Sequence, residues 1–175
     1  TEEITGLDLV AMMIQGALGE EWAIKSQDQI RIGGHSIECR ICAEDPITML
    51  PSPGKVTGYI ENMPQGIRFD HCLFEGYEVT PSFDPMVGKL VSRGIDRPTA
   101  IRKVRRALDR LKIQGLKTNI PLHKVILDEE VFRSGTYTTN YIAEVVPQDK
   151  VDNNFEELEA IGVILSNELD AQGGL

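Results

Sequence analysis

The stretch HSIECRICAEDP, residues 35–46, alternates as a strand does. Successive side chains of a strand point to opposite faces. Ile37, Cys39 and Ile41 therefore share one face, and Ser36, Glu38 and Arg40 share the other. One apolar and one polar face describe a strand with a single side against a core. The same run holds a C-x-x-C, formed by Cys39 and Cys42. Residues three apart in a straight strand point opposite ways, so these thiols do not share a metal ion or a redox bond. Such pairs work on turns and helix starts. There is no second C-x-x-C, and the spacing of His35, His71 and Cys72 completes no tetrahedral set. The charged pair has two readings. Glu38 and Arg40 form an exposed ion pair of small worth. Alternatively, Arg40 presents a fixed guanidinium in a cleft, oriented by carboxylates. There its planar fork of donors suits a carboxylate, a bicarbonate or a polarised carbonyl.

Working outward, residues 5–19, TGLDLVAMMIQGALG, predict a helix with Leu7, Val10, Met13 or Ile14, and Ala17 or Leu18 at helical spacing. Gly19 is its stop, and the methionine pair reads as core filling. A connector follows, ending in a Gly-Gly turn. After the opening stretch, EDPITMLPSPGK reads as loop. KVTGYIE, GIRFDH, LFEGYEV and MVGKLVSRG are short strand candidates. Residues 98–113 predict the clearest helix, with Ile101, Val104, Leu108 and Leu111 as its stripe and Gly115 beyond its end. NIPLHKVILDEEVFRSG predicts another helix, and TTNYIAEVV closes the globular part. The tail carries Phe155, Leu158, Ile161, Leu165 and Leu169 on one side of a predicted amphipathic helix. The fold class is α+β, a small, mostly antiparallel sheet flanked by helices.

The chain has 175 residues, which suits one domain with an appendage. Its 18 basic and 27 acidic residues give a formal charge of −9, which disfavours nucleic acid and anionic membranes as partners. Apolar runs stay well short of the roughly 18 residues a membrane span needs. Three cysteines make no disulfide framework, so we expect a reducing, cytoplasmic setting. The acidic opening TEEITG, without an initiator Met, reads as a piece of a longer polypeptide. Positive charge concentrates at Arg97, Arg102, Lys103, Arg105, Arg106, Arg110, Lys112 and Lys117. Without interleaved aromatics or a reading motif this is a solvated helix face. A variant of that reading has it attract an acidic carrier domain.

The pieces TEEITGLDLV, GHSIECRICAEDP, LPSPGKV, GYEVTPSFDPMVGKL and GLKTNIPL, in that order, carry a resemblance over residues 1–146. The chain resembles the C-terminal third of biotin carboxylase, the ATP-grasp ligase component of acetyl-CoA, propionyl-CoA and pyruvate carboxylases. The resemblance implies a remnant of the ATP-grasp domain over residues 1–32 and the family's C-terminal domain, a rudimentary hybrid motif, over 33–146. Residues 147–175 are then a linker and tail helix. It implies that Arg40 is the catalytic residue, binding biotin and bicarbonate and stabilising the enolate charge on the ureido oxygen. Glu38 and Asp84 stand behind it, although Asp84 equally suits a cap for the turn before Pro85. Arg68 and Gln65 match positions of a homodimer contact, where Gln65 stands in place of an aromatic. Cys42 stands where the family has asparagine. Biotin rides on a separate carrier protein. ATP and magnesium belong to an upstream ATP-grasp part, so no cofactor and no metal is expected on this segment, which alone is expected to be inactive. The implied partners are that upstream domain, the biotin carboxyl carrier protein, a second copy of the chain and a carboxyltransferase subunit. The competing reading is a non-catalytic module for dimerisation and carrier docking, with Arg40 merely structural.

Overall fold

The structure, a computed structural model, describes residues 1–144, 146 and 149–151. It begins with two short helices, α1 (Glu2–Thr5) and α2 (Leu9–Ala17). Asp8 caps α2, its carboxylate accepting from the Ala11 amide at 2.9 Å. The predicted helix is there, but its apolar stripe is not core. Val10, Met13 and Leu18 are 66%, 72% and 70% exposed, and no residue of α2 is buried. Periodicity marks a face that can be covered, and no described element covers this one.

Strand β1 (His35–Cys42) realises the alternation of the opening stretch. Ile37, Cys39 and Ile41 are buried, while Glu38 and Arg40 are exposed. The short strands β2 (Gly54–Lys55), β3 (Gly58–Ile60), β4 (Ile67–His71) and β5 (Glu78–Val79) precede the long β6 (Met86–Gly94). The main sheet runs β1-β6-β4, all antiparallel. Two ribbons complete the architecture. One pairs β2 with β5; the other pairs β3 with β7 (Lys112–Gln114). The expected α+β class holds, with the antiparallel strands split into three small sheets.

Helix α3 (Arg97–Arg110) lies on the inner face of the main sheet. Asp96 caps it by accepting from the Thr99 amide at 2.8 Å, and Pro98 sits in its first turn. Ala100, Ile101, Val104, Ala107 and Leu108 pack against Ile37, Cys39, Ile41 and Leu90. Burying each of the larger aliphatic side chains contributes about 1.5–3 kcal/mol. Ser92 is fully buried on that face and satisfied, donating to the Ala100 carbonyl at 3.0 Å.

Besides the first helix, which runs Leu9–Ala17 where residues 5–19 are expected, two helix boundaries differ from the sequence reading. The helix predicted over 98–113 stops at Arg110, and residues 112–114 turn extended to pair with β3. The edge of β3 offers backbone partners that outweigh one more helical turn. Gly115 follows at φ +95°, where a Cβ would collide with the Lys55 carbonyl. The helix predicted from Asn119 is two, α4 (Ile120–Asp128) and α5 (Glu130–Ser134), broken where Glu129 takes ψ 136°. A last short helix, α6 (Tyr141–Glu144), packs through Tyr141 on Leu122, Val125 and Ile126. The tail helix expected around residues 155–169 lies outside the described residues.

Candidate functional site

The polar face of β1 is the outer face of the main sheet. Register sets its neighbours. Arg40 stands opposite Lys89 of β6, which stands opposite Asp70 of β4. Glu38 stands opposite Val91, which faces Arg68. Arg40 Nε donates to Glu38 Oε1 at 3.3 Å, and the Arg40 side chain is 71% exposed. Among the described residues it therefore lies on an open face, not in a cleft. The ion pair of the plain reading exists, and at this exposure it contributes little to stability.

What is rigid is the backbone beneath the guanidinium. A bulge between Ile41 and Cys42 interrupts the ladder with β6. Asn119, at the start of α4 and 8% exposed, closes the gap. Its Nδ2 donates to the Arg40 carbonyl at 3.0 Å, and its Oδ1 accepts from the Cys42 amide at 2.9 Å. Its own amide donates to the Cys42 carbonyl at 3.1 Å. His123, one helical turn on, also reaches the Arg40 carbonyl, Nε2 to O 2.9 Å. Burial holds its imidazole below the usual histidine range, against the pull of that carbonyl. The neutral ring with its proton on Nε2 makes this bond. Asn119 and His123 were not singled out from the sequence. The only local signal was an asparagine before a helix-starting Ile-Pro.

Asp84 Oδ1 accepts from the Met86 amide at 2.8 Å, spanning Pro85, so its turn-capping reading is realised. Its carboxylate also acts electrostatically on Glu44 and Cys42. Burial, then Asp84, raises Glu44 above the usual carboxylate range. Cys39 and Cys42 are plain packing groups. Burial pushes the Cys39 thiol up to about 12 and the Cys42 thiol up to about 11, in the latter case with help from Glu44 and Asp84. Nothing in the structure explains why residue 42 is a cysteine. Among the described residues no group of three His, Cys, Asp or Glu side chains could hold a metal ion.

Arg68 is bound within the chain. It donates from Nε and Nη2 to Asp70 and from Nη1 to Glu2 at 2.9 Å and Glu3 at 3.4 Å. Asp70 first, and then Glu2, raise its pKa. Gln65 is exposed in the turn before β4. The structure thus brings Glu38 next to Arg40, leaves Asp84 and Arg68 in separate contacts and leaves Gln65 exposed. The basic run is also largely engaged. Arg105 pairs with Asp109 and Asp128, and Lys117 pairs with Asp45 at 2.7 Å. Arg97 is no solvated cation: it lies 4.8 Å from the Phe132 ring centre and donates to the Phe132 and Arg133 carbonyls. A cavity of about 290 Å³ opens between β1 and α4–α6, lined by Ile37, His123, Ile126, Phe132 and Tyr141 among others, and Arg40 does not line it.

Residues 38–144 match the family profile of the biotin carboxylase C-terminal domain. The chain is 41% identical over 150 residues to a biotin carboxylase of Pseudomonas aeruginosa, covering 86% of this chain and 33% of that protein. It is 46% identical over 145 residues to a pyruvate carboxylase subunit of Methanothermobacter thermautotrophicus, covering 82% and 29%. Among solved structures, it superposes with a TM-score of 0.77 on the biotin carboxylase domain dimer of Hydrogenobacter thermophilus 2-oxoglutarate carboxylase in complex with MgADP, ADP and bicarbonate. That pair is 42% identical, over 82% of this chain and 32% of the other. The chain spans about a third of the length of these curated relatives. With more than half of its residues inside the profile and the same fold in the solved neighbours, the chain belongs to the biotin carboxylase C-terminal domain family.

Proposed function

We propose that this chain supplies the arginine side of a biotin carboxylase active site, in an enzyme that carboxylates the biotin of a carrier protein using ATP and bicarbonate. One observation carries the reading. Arg40 is fixed through its backbone by Asn119 and His123, while among the described residues its guanidinium makes one hydrogen-bonded ion pair, to Glu38. A cation on a rigid strand with free donors is pre-organised to meet charge that appears during a reaction.

When bound, biotin supplies a ureido nitrogen as nucleophile, and its deprotonation places negative charge on the ureido oxygen. Arg40 stays protonated throughout and offers planar donors to that oxygen. Glu38 aligns the guanidinium through Nε and leaves the Nη donors for the ligand. Water exclusion, which strengthens the interaction, comes from a covering part of the enzyme. ATP and magnesium are held by that part, an ATP-grasp domain outside these residues. The neighbour bound to MgADP and bicarbonate, of whose chain this one covers 32%, supports this assignment. Residues 1–32 belong with that domain, residues 33–146 form the C-terminal domain, and the tail from 147 is an appendage. The isolated segment is inactive. The enzyme works in the cytoplasm, and its partners are the carrier, a second copy of the enzyme and a carboxyltransferase subunit.

The test is bicarbonate-dependent ATP hydrolysis with and without free biotin, in the full ligase carrying this segment, comparing wild type with Arg40→Gln. Removing a charge-stabilising donor should cut the biotin-stimulated rate by about a hundredfold. Unchanged stimulation would refute the reading and leave a docking and dimerisation module.

A further inference from the structure

The cavity between β1 and α4–α6 holds a polar group that packing leaves unserved. Its walls are aliphatic at Ile37, Ile126 and Leu127 and aromatic at Phe132, Tyr137 and Tyr141. Tyr141 is 4% exposed, and its hydroxyl is buried without a hydrogen-bond partner among the described residues. Buried polar groups are nearly always paired, so an orphaned phenol at the wall of an open cavity marks a place for an acceptor. Burial first, and then Glu129, hold this phenol above its usual range, so it stays a donor. The charges around the cavity disfavour an ion. No lysine or arginine lines it and Glu38 brings a carboxylate to its wall, so an anion finds no partner there. A cation would compete with Arg97 for the aromatic faces, since that guanidinium already lies 4.8 Å from the Phe132 ring centre and 5.7 Å from that of Tyr137. An uncharged molecule fits both limits. A volume of about 290 Å³ stands at the lower end for ligand pockets and suits a single small ring. Two residues that hold Arg40 also line the cavity: Glu38, bonded to its guanidinium, and His123, bonded to its carbonyl.

We propose that this cavity binds a small uncharged aromatic carbonyl compound, its oxygen accepting from the Tyr141 hydroxyl, and that the occupant adjusts Arg40 through Glu38 and His123. The site itself stands on the cavity and the orphaned hydroxyl. Its effect on a reaction rests on the function proposed above.

The test titrates acetophenone into the 175-residue chain, followed by NMR, against ethylbenzene, which has the same ring and no acceptor. In wild type the methyl signals of Ile126 and Leu127 should shift and saturate with both probes. Acetophenone should bind about tenfold more tightly, the scale of one hydrogen bond to a donor otherwise left unpaired. Tyr141→Phe keeps the ring and removes the hydroxyl, so the preference for acetophenone should vanish while ethylbenzene binds as before. Absence of saturable shifts at the cavity overturns the proposal. So does a preference that survives in Tyr141→Phe, or a wild type with no preference, in which a bound water already serves the hydroxyl. In the full ligase, saturating acetophenone should change the biotin-stimulated rate of ATP hydrolysis, and Tyr141→Phe should raise the concentration needed about tenfold. An unchanged rate overturns the action on Arg40. Competition between acetophenone and MgATP would give the cavity to the nucleotide and overturn it as well. Failure of the Arg40→Gln test with the NMR preference intact would instead remove the ureido role and leave the ligand site.

Discussion

Truncating Asn119 tests whether the base of Arg40 is as rigid as its contacts imply. The Asn119 side chain makes two bonds to β1, one to the Arg40 carbonyl and one from the Cys42 amide. It makes no capping bond to its own helix, so Asn119→Ala removes the strand clamp without a capping loss. The Arg40 carbonyl keeps His123 as a donor. The Cys42 amide, sitting at the bulge, loses its acceptor. A donor orphaned in a half-buried position such as Cys42 costs toward the lower part of about 1–3 kcal/mol, and the second lost bond adds about 0.5–1.5 kcal/mol. We expect a destabilisation of about 2–3 kcal/mol. The assay is urea unfolding followed by circular dichroism, with the midpoint falling and the slope unchanged. Hydrogen exchange should report faster opening at the Cys42 amide than at Leu90, deep in the same sheet. Asn119→Asp keeps an acceptor for Cys42 but loses the donor to Arg40, so its loss should fall between wild type and the alanine variant. A change below about 0.5 kcal/mol in Asn119→Ala, with Cys42 exchange unaltered, would show that β1 holds Arg40 without help.

Two further outcomes follow from the same contacts. The Asp45 carboxyl is held down at about 2, chiefly by Lys117, whose ammonium lies 2.7 Å away, and by the Thr48 amide. A carboxyl depressed on folding stabilises above its unfolded value, about 4, and that stability is lost as pH falls from there toward about 2. Lys117→Met should move the Asp45 titration, read by NMR, back toward the ordinary range; an unmoved titration would exclude the ion pair as its cause. The cysteines should separate in a disulfide-exchange titration at about pH 8. Exposed Cys72 should react first, while Cys39 and Cys42, raised to about 12 and about 11, react much more slowly. Reaction of Cys42 as fast as Cys72 would contradict the packing role given to it.

The local alternation of residues 37–41 determined by itself that Cys39 faces the core and Arg40 faces out, because a strand's side-chain period is two whatever it pairs with. The stripe of α3 likewise fixed its buried side, and the five matching motifs fixed the family. The same local rule misplaced α2. Its period is real, but periodicity says which side is apolar and not whether anything covers it. Residues 112–114 read as helix because their strand partner, β3, lies far back in the chain, at residues 58–60. The site depended most on distance. Asn119 and His123 reach Arg40 across 79 and 83 residues, and neither residue type nor spacing announces that contact. Register alone put Lys89 beside Arg40, and only the position of α1 and β4 around Arg68 settled which cation Asp70 neutralises. Periodicity is a property of one element and is written in consecutive residues. The pairing of elements is a sum of many weak, long-range contacts, so it becomes visible only once the chain is folded.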